Sequence, residues 1–285
     1  MIKMVFCDID GCMGNFVKPE YPLKQDLSEN LNKLESIKNK TKKFKDVLFG
    51  VATGRSFYQS DNIMHQAGHQ GPSIFEMGNV IFEPDRGVYN LFEEHEKFKD
   101  SKEIVRQFIE WKRQMINHEK EIKERFPMTN LRQIKDRSCM LTYEFDKEIS
   151  KELYNFLINK MPDIVKEGIQ NNILKVLFSK NALDILPNLN KGDAVSFLAN
   201  KYKIDKKNVL AIGDSSHSDL DLLSAAGLVA CPFNADEELK KYVLEHNGFI
   251  VPNSSNEGLL NILDLVENFI KFSNLRNEFR VIKSV

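Results

Sequence analysis

Apolar runs four to seven residues long, spaced by segments with helical periodicity, set the pattern of the first third of the chain. Residues 3–9 form an apolar run suited to a strand buried on both faces. Leu27, Leu31, Leu34 and Ile37 then recur at helical spacing. A second apolar strand is predicted over residues 46–52, then a helix over about 56–67, and a Gly-Pro break ends the pattern. Such alternation predicts a parallel sheet with helices on both faces.

The pattern changes between about residues 84 and 187. A strongly charged stretch over 93–125 carries Val105, Phe108, Ile109, Ile116 and Ile122 as a helical stripe. A strand over 139–145, a helix over 147–160 and paired apolar runs over 173–178 and 182–186 follow. From Lys191 the alternation resumes. Helices are predicted from residue 191, over 219–226, 235–245 and 257–272, and strands over 209–212, 228–231 and 249–251. The expectation is therefore an α/β protein with a doubly wound, mostly parallel sheet, split by an α+β insertion. The core domain is predicted over 1–83 and 188–285, the insert over 84–187. The Lys/Asn-rich stretch 38–45 reads as a solvated connection, and the tail after Ser273 shows no clear pattern.

Length and composition add bounds to this picture. The chain has 285 residues, enough for two domains. Forty Lys and Arg stand against 41 Asp and Glu, a net charge of -1 that gives no bulk attraction to nucleic acid or to an anionic membrane. Cys7, Cys12, Cys139 and Cys231 lack Cys-x-x-Cys spacing, so neither a zinc site nor a disulfide framework is expected. No stretch approaches the roughly 20 apolar residues of a membrane span, and acidic residues appear by position 8, so a cytoplasmic protein is expected. Oligomeric state is not legible.

Chemistry enters with Asp8 and Asp10, in Val5-Phe6-Cys7-Asp8-Ile9-Asp10-Gly11 at the end of the first strand. On a strand, residues two apart share a face. Two carboxylates there repel unless a cation is shared or one is protonated, a pattern that points to a metal site doing proton chemistry. The bland alternative is a pair of solvated turn aspartates before Gly11. Thr53-Gly54-Arg55-Ser56 follows the second strand, at a strand-to-helix turn whose free N–H groups suit an anion. Lys191 opens a later helix, and the strand 208–212 runs into Gly213-Asp214-Ser215-Ser216-His217-Ser218-Asp219. In a parallel sheet such strand ends meet at one edge.

The order Asp-x-Asp-Gly, Thr-Gly-Arg, Lys, then Gly-Asp with a second Asp five positions later resembles the haloacid dehalogenase superfamily. More narrowly it resembles the Cof-type and sugar-phosphate phosphatases with a large cap between the second and third motifs. Phe75-Glu76-Met77-Gly78 resembles the family's Glu-Asn-Gly turn, and Asn234-Ala235 and Glu257-Gly258 its late loops. Cys12 stands where the family usually has Thr, and Met77 where it has Asn.

The resemblance implies a phosphatase of small phosphorylated metabolites, sugar phosphates above all, using Mg²⁺ and an aspartyl-phosphate. Asp8 is the implied nucleophile and Asp10 the acid/base. Thr53 and Lys191 would hold the phosphoryl group. Asp8, the main-chain carbonyl of Asp10, Asp214 and Asp219 are the implied metal ligands, with Asp219 completing or bracing the shell and Asp221 its competitor. Arg55 reads as a structural ion pair, with orientation of substrate as the alternative, and His217 as loop structure or a substrate contact. Arg132, Lys135, Arg137 and Lys175 of the insert are candidates for substrate contact or plain surface charges. A phosphomutase would use the same aspartates, and a catalytically silent sugar-phosphate sensor is a third reading.

Overall fold

The computed structural model describes residues 1–14, 16 and 28–282, with the side chains of 28–31 and 272–282 left out. Leu27 lies outside the described residues, as does the side chain of Leu31. In chain order the first elements are β1 (Met4–Cys7), α1 (Ser28–Thr41), β2 (Leu48–Val51), α2 (Phe57–Ala67), β3 (Ser73–Phe75), β4 (Val80–Glu83) and β5 (Gly87–Asn90). Then come α3 (Lys102–Gln114), α4 (Glu119–Arg125), β6 (Arg132–Ile134), β7 (Leu141–Glu144), α5 (Ser150–Ile158), α6 (Asp163–Gln170), β8 (Leu174–Phe178) and β9 (Ala182–Pro187). The chain ends with α7 (Lys191–Lys201), β10 (Val209–Ile212), α8 (Ser216–Ser224), β11 (Leu228–Cys231), α9 (Glu237–Glu245), β12 (Phe249–Ile250) and α10 (Ser255–Ile282).

Two compact units result. One comprises Met1–Val88 and Asn190–Val285, the other Tyr89–Leu189; the sequence pattern places the change of character at residues 84 and 187. The first unit is built on a five-stranded parallel sheet ordered β12-β11-β10-β1-β2. Its two central strands, β1 and β10, are buried along their whole length, as their unbroken apolar sequences require. Helix α1 packs on α2 and α10, while α7 packs on α8 and α8 on α9, so the sheet is covered as a doubly wound fold. The second unit carries a four-stranded antiparallel sheet ordered β6-β7-β9-β8, with α5 against β9 and α6 against β8. Strand β6 and helix α6 are elements the sequence pattern does not predict: β6 is three residues long and pairs with β7, and α6 is eight residues long and packs on α3 and β8.

Three local outcomes differ from the sequence pattern. Helix α1 runs through Lys38–Thr41, where Lys40 pairs with Asp264 on α10; beyond the helix Lys42, Lys43 and Lys45 stay exposed, as a solvated stretch requires, although Lys43 Nζ lies 3.6 Å from Glu267. Helix α8 begins at Ser216, three residues early, since the Asp219 N–H already bonds the Ser215 carbonyl at 2.8 Å. Helix α10 continues to Ile282, through the stretch without pattern.

Candidate active site

The register of the central strands assembles the site. Cys7 pairs with Val51 on one side and Ile212 on the other. The Asp8 N–H bonds the Ile212 carbonyl at 2.9 Å, and the Ala52 N–H bonds the Cys7 carbonyl at 2.9 Å. Asp8, Thr53 and Asp214 therefore leave three adjacent strands at one sheet edge.

Helix α7 brings Lys191 to this edge. Asn190 and Asp193 form a capping box, with the Asp193 N–H donating to Asn190 Oδ1 at 2.7 Å and the Asn190 N–H to Asp193 Oδ2 at 3.0 Å. That cap fixes the first turn, and Lys191 Nζ reaches Asp219 Oδ1 at 2.7 Å and Asp8 Oδ1 at 3.0 Å. Lys191 is 1% exposed and Asp219 0%. An unpaired charge at such depth is prohibitive; the pairing with two carboxylates makes it tenable.

Asp8, Asp214 and Asp219 each present a carboxylate oxygen within 4.8 Å of the others. Asp219 Oδ1 takes Lys191, and its Oδ2 accepts from the N–H groups of Asp214 and Ser215 at 3.0 and 3.2 Å. Asp219 thus braces the Asp214 loop with both oxygens engaged. Burial, ahead of the attraction of Lys191, pushes the Asp8 carboxyl up to about 8, with Asp219 and Asp10 adding to the rise. Burial and then Asp219 push Asp214 up to about 7. Burial pulls the Lys191 ammonium down, but Asp219 and Asp8 more than offset it, and it stays protonated. Carboxylates crowded beyond the reach of one lysine have the oxygen donors that a small hard cation prefers.

Asp10 is separate from this cluster. Arg55 Nε and one terminal nitrogen donate to its two oxygens at 2.7 and 2.6 Å, and the same nitrogen donates to the Phe16 carbonyl at 2.6 Å. Two different cations, Lys191 and Arg55, therefore relieve the repulsion between Asp8 and Asp10. Arg55 is 2% exposed. It is an ion pair, as its sequence position suggests, but one that orients a site carboxylate; no sequence signal names its partner.

Thr53 is buried, and its Oγ1 accepts the Arg55 N–H at 3.2 Å. Behind this loop, Glu76, Met77 and Gly78 hold left-handed backbone, with φ of 49°, 58° and 102°. The Glu76 and Met77 N–H groups bond the Arg55 and Thr53 carbonyls at 2.9 and 3.3 Å. Two consecutive non-glycine residues there are strained, and Met tolerates the region less well than Asn.

Gly11 (φ 75°) backs directly onto Asp214: a Cβ at Gly11 would lie 1.8 Å from Asp214 Oδ2. Cys12 is fully buried, and burial raises its thiol well above the usual range. All four cysteines are free. Asp221 and His217 are exposed on α8. In the second unit, Arg132 pairs with Glu144 at 2.6 Å, Lys135 with Glu119 at 2.5 Å, Lys175 donates to the Leu189 carbonyl at 2.7 Å, and Arg137 is buried.

A parallel sheet with buried acidic strand-end loops, a lysine from a later helix and a Thr-Gly-Arg turn defines a class of hydrolases. Residues 5–263 match the family described as haloacid dehalogenase-like hydrolase, and the chain belongs to it. Among curated relatives, a protein named phosphoglycolate phosphatase from Thermoplasma volcanium is 23% identical over 242 residues, 85% of this chain and 89% of that one. Among solved structures, the sucrose-phosphatase of Synechocystis sp. PCC6803, crystallised with sucrose and phosphate, superposes with a TM-score of 0.57 at 17% identity, covering 94% of this chain and 99% of that one. A trehalose-6-phosphate phosphatase related protein gives 0.59 at 15% identity, over 95% and 99%. These structural likenesses speak for the fold. No helix among the described residues is long and apolar enough to cross a membrane.

Proposed function

We propose that this enzyme is a Mg²⁺-dependent phosphatase of a small phosphorylated metabolite, acting through a phosphoryl group carried on Asp8. The observation that carries the reading is the set formed by buried Asp8, Lys191 and Asp219 with half-buried Asp214, in which three carboxylate oxygens lie within 4.8 Å and one ammonium bridges two of the carboxylates.

The donor set fits a hard divalent cation. Asp8 and Asp214 would hold it with the Asp10 main-chain carbonyl, and Asp219 would brace them. Bound there, Mg²⁺ would keep Asp8 ionised and offset the charge of the phosphoryl oxygens. The Thr53 hydroxyl and the Lys191 ammonium receive the phosphoryl group. An Asp8 oxygen attacks phosphorus in line, and the ester oxygen leaves with a proton from Asp10. Water then attacks the phosphorus of the aspartyl-phosphate and gives its proton to Asp10, which regenerates Asp8 and frees inorganic phosphate. Arg55 holds the Asp10 carboxylate in one orientation throughout.

Two substrate classes are favoured. The name of the Thermoplasma volcanium relative favours phosphoglycolate, and those of the structural neighbours favour sugar phosphates. The segment 84–187, in the structure the unit Tyr89–Leu189, is read as a substrate-selecting cap. Four free buried cysteines support a cytoplasmic setting. Phosphate release from phosphoglycolate, sugar phosphates, nucleotides and pyridoxal phosphate with Mg²⁺ tests the reading. Release from none of them would overturn it.

A further inference from the structure

The loop after β11 takes no part in the chemistry above, yet it touches both acidic strand-end loops. The Asp236 N–H donates to the Asp214 carbonyl at 3.0 Å, and Asp236 Oδ2 accepts the Ser216 N–H at 2.6 Å. Two residues earlier, Asn234 Nδ2 donates to the Gly11 carbonyl at 3.0 Å, while Asn234 Oδ1 accepts the Ser255 N–H at 2.6 Å. One end of the amide must donate and the other accept, so its orientation is fixed by its partners.

Gly11 matters because of what it adjoins. Its Cα lies so close to the Asp214 carboxylate that no side chain fits between them. Its N–H bonds the Gly14 carbonyl at 3.1 Å, closing the loop that leaves Asp8. A displacement of the Gly11 peptide therefore moves against Asp214 on one side and carries the Asp8 loop on the other. Ser255, at the far end of the amide, holds a left-handed φ of 47° at the start of α10, a conformation that needs an external tie.

We propose that Asn234 is a positioning residue for cation binding, which by holding the Gly11 carbonyl sets the spacing between the Asp8 and Asp214 carboxylates. The inference rests on the metal reading above. Asn234 touches neither carboxylate; it acts through Gly11, as groups behind metal ligands commonly do.

The test is calorimetric titration of Mg²⁺ into the full chain at neutral pH, for wild type, Asn234→Asp and Asn234→Ala, with melting curves in chelator. Asn234→Asp keeps the acceptor for Ser255 but loses the donor to Gly11. It is expected to weaken Mg²⁺ binding about tenfold, although its added negative charge would by itself strengthen it. Asn234→Ala is expected to lose at least as much. A purely structural role would lower the melting temperature in chelator and leave Mg²⁺ affinity unchanged. Wild-type affinity in Asn234→Asp would overturn the inference, whatever Asn234→Ala does. A wild-type chain that binds no Mg²⁺ would overturn the metal reading, and this inference with it.

Discussion

Lys191 and Asp219, 28 positions apart, form an ion pair of 2.7 Å in which neither side chain meets solvent. The same ammonium reaches Asp8 at 3.0 Å. Removing it leaves two buried carboxylates without their cation, a loss typically of about 3–5 kcal/mol. Lys191→Ala is therefore expected to lower the urea midpoint strongly and to depress turnover of every phosphate ester together. A variant as stable as wild type, or one impaired on some esters alone, would contradict the pairing.

The Asp8 carboxyl makes a second, opposite prediction. Its pKa rises from 3.8 to about 8, chiefly through burial. The folded state thus keeps a proton that the unfolded state has lost. Stability from this group is full below 3.8 and drains away as pH climbs through about 8. Asp8→Asn does not titrate, so in chelator its melting temperature should rise relative to wild type across that window, by the equivalent of on the order of a few kcal/mol, while turnover vanishes. Melting curves of the two proteins that stay parallel would contradict it.

His69 gives the reverse slope. Neither ring nitrogen has a hydrogen bond, the ring stands edge-on to Phe49 with centroids 4.7 Å apart, and burial lowers its pKa from 6.5 to about 3. The unfolded chain binds the proton first, so stability is lost as pH falls from 6.5 towards 3. His69→Phe keeps the edge contact and should resist acid better, with an advantage that grows across this window. Equal acid midpoints would contradict the burial argument.

How much of this was legible in the sequence follows from how local each feature is. Strands β1 and β10 announce themselves as unbroken apolar runs ending in aspartates, and the parallel sheet follows from the alternation around them. Asp8, Thr53, Lys191, Asp214 and Asp219 stand where their motifs place them, at one sheet edge. The partners do not announce themselves. Arg55 meets Asp10 across 45 positions, Asn234 meets Gly11 across 223, and Lys40 of an apparently solvated stretch meets Asp264 on α10. Periodicity reports which face a residue takes, not which distant residue shares it.

The Arg55–Asp10 pair ties orientation to proton transfer. Read in the first step alone, as the burst of leaving group that accompanies phosphorylation of Asp8, Asp10→Asn should cost little with aryl phosphates, whose leaving groups need little protonation, and about 10²- to 10⁴-fold with alkyl phosphates, while hydrolysis of the aspartyl-phosphate slows for both. Arg55→Lys, which loses the fork that matches the carboxylate, should show the same dependence on leaving group in weaker form. Equal losses in that first step on both ester types would remove the acid role from Asp10.

The central claim is that Asp8 carries the phosphoryl group in a cation-dependent site. The most direct measurement is phosphate release with Mg²⁺ and with excess chelator, joined to acid quenching in mid-turnover and mass analysis of the peptide containing Asp8. The account predicts release only with Mg²⁺, and a phosphoryl group on the wild-type peptide that Asp8→Asn lacks. Undiminished turnover in chelator, or full activity in Asp8→Asn, would contradict it.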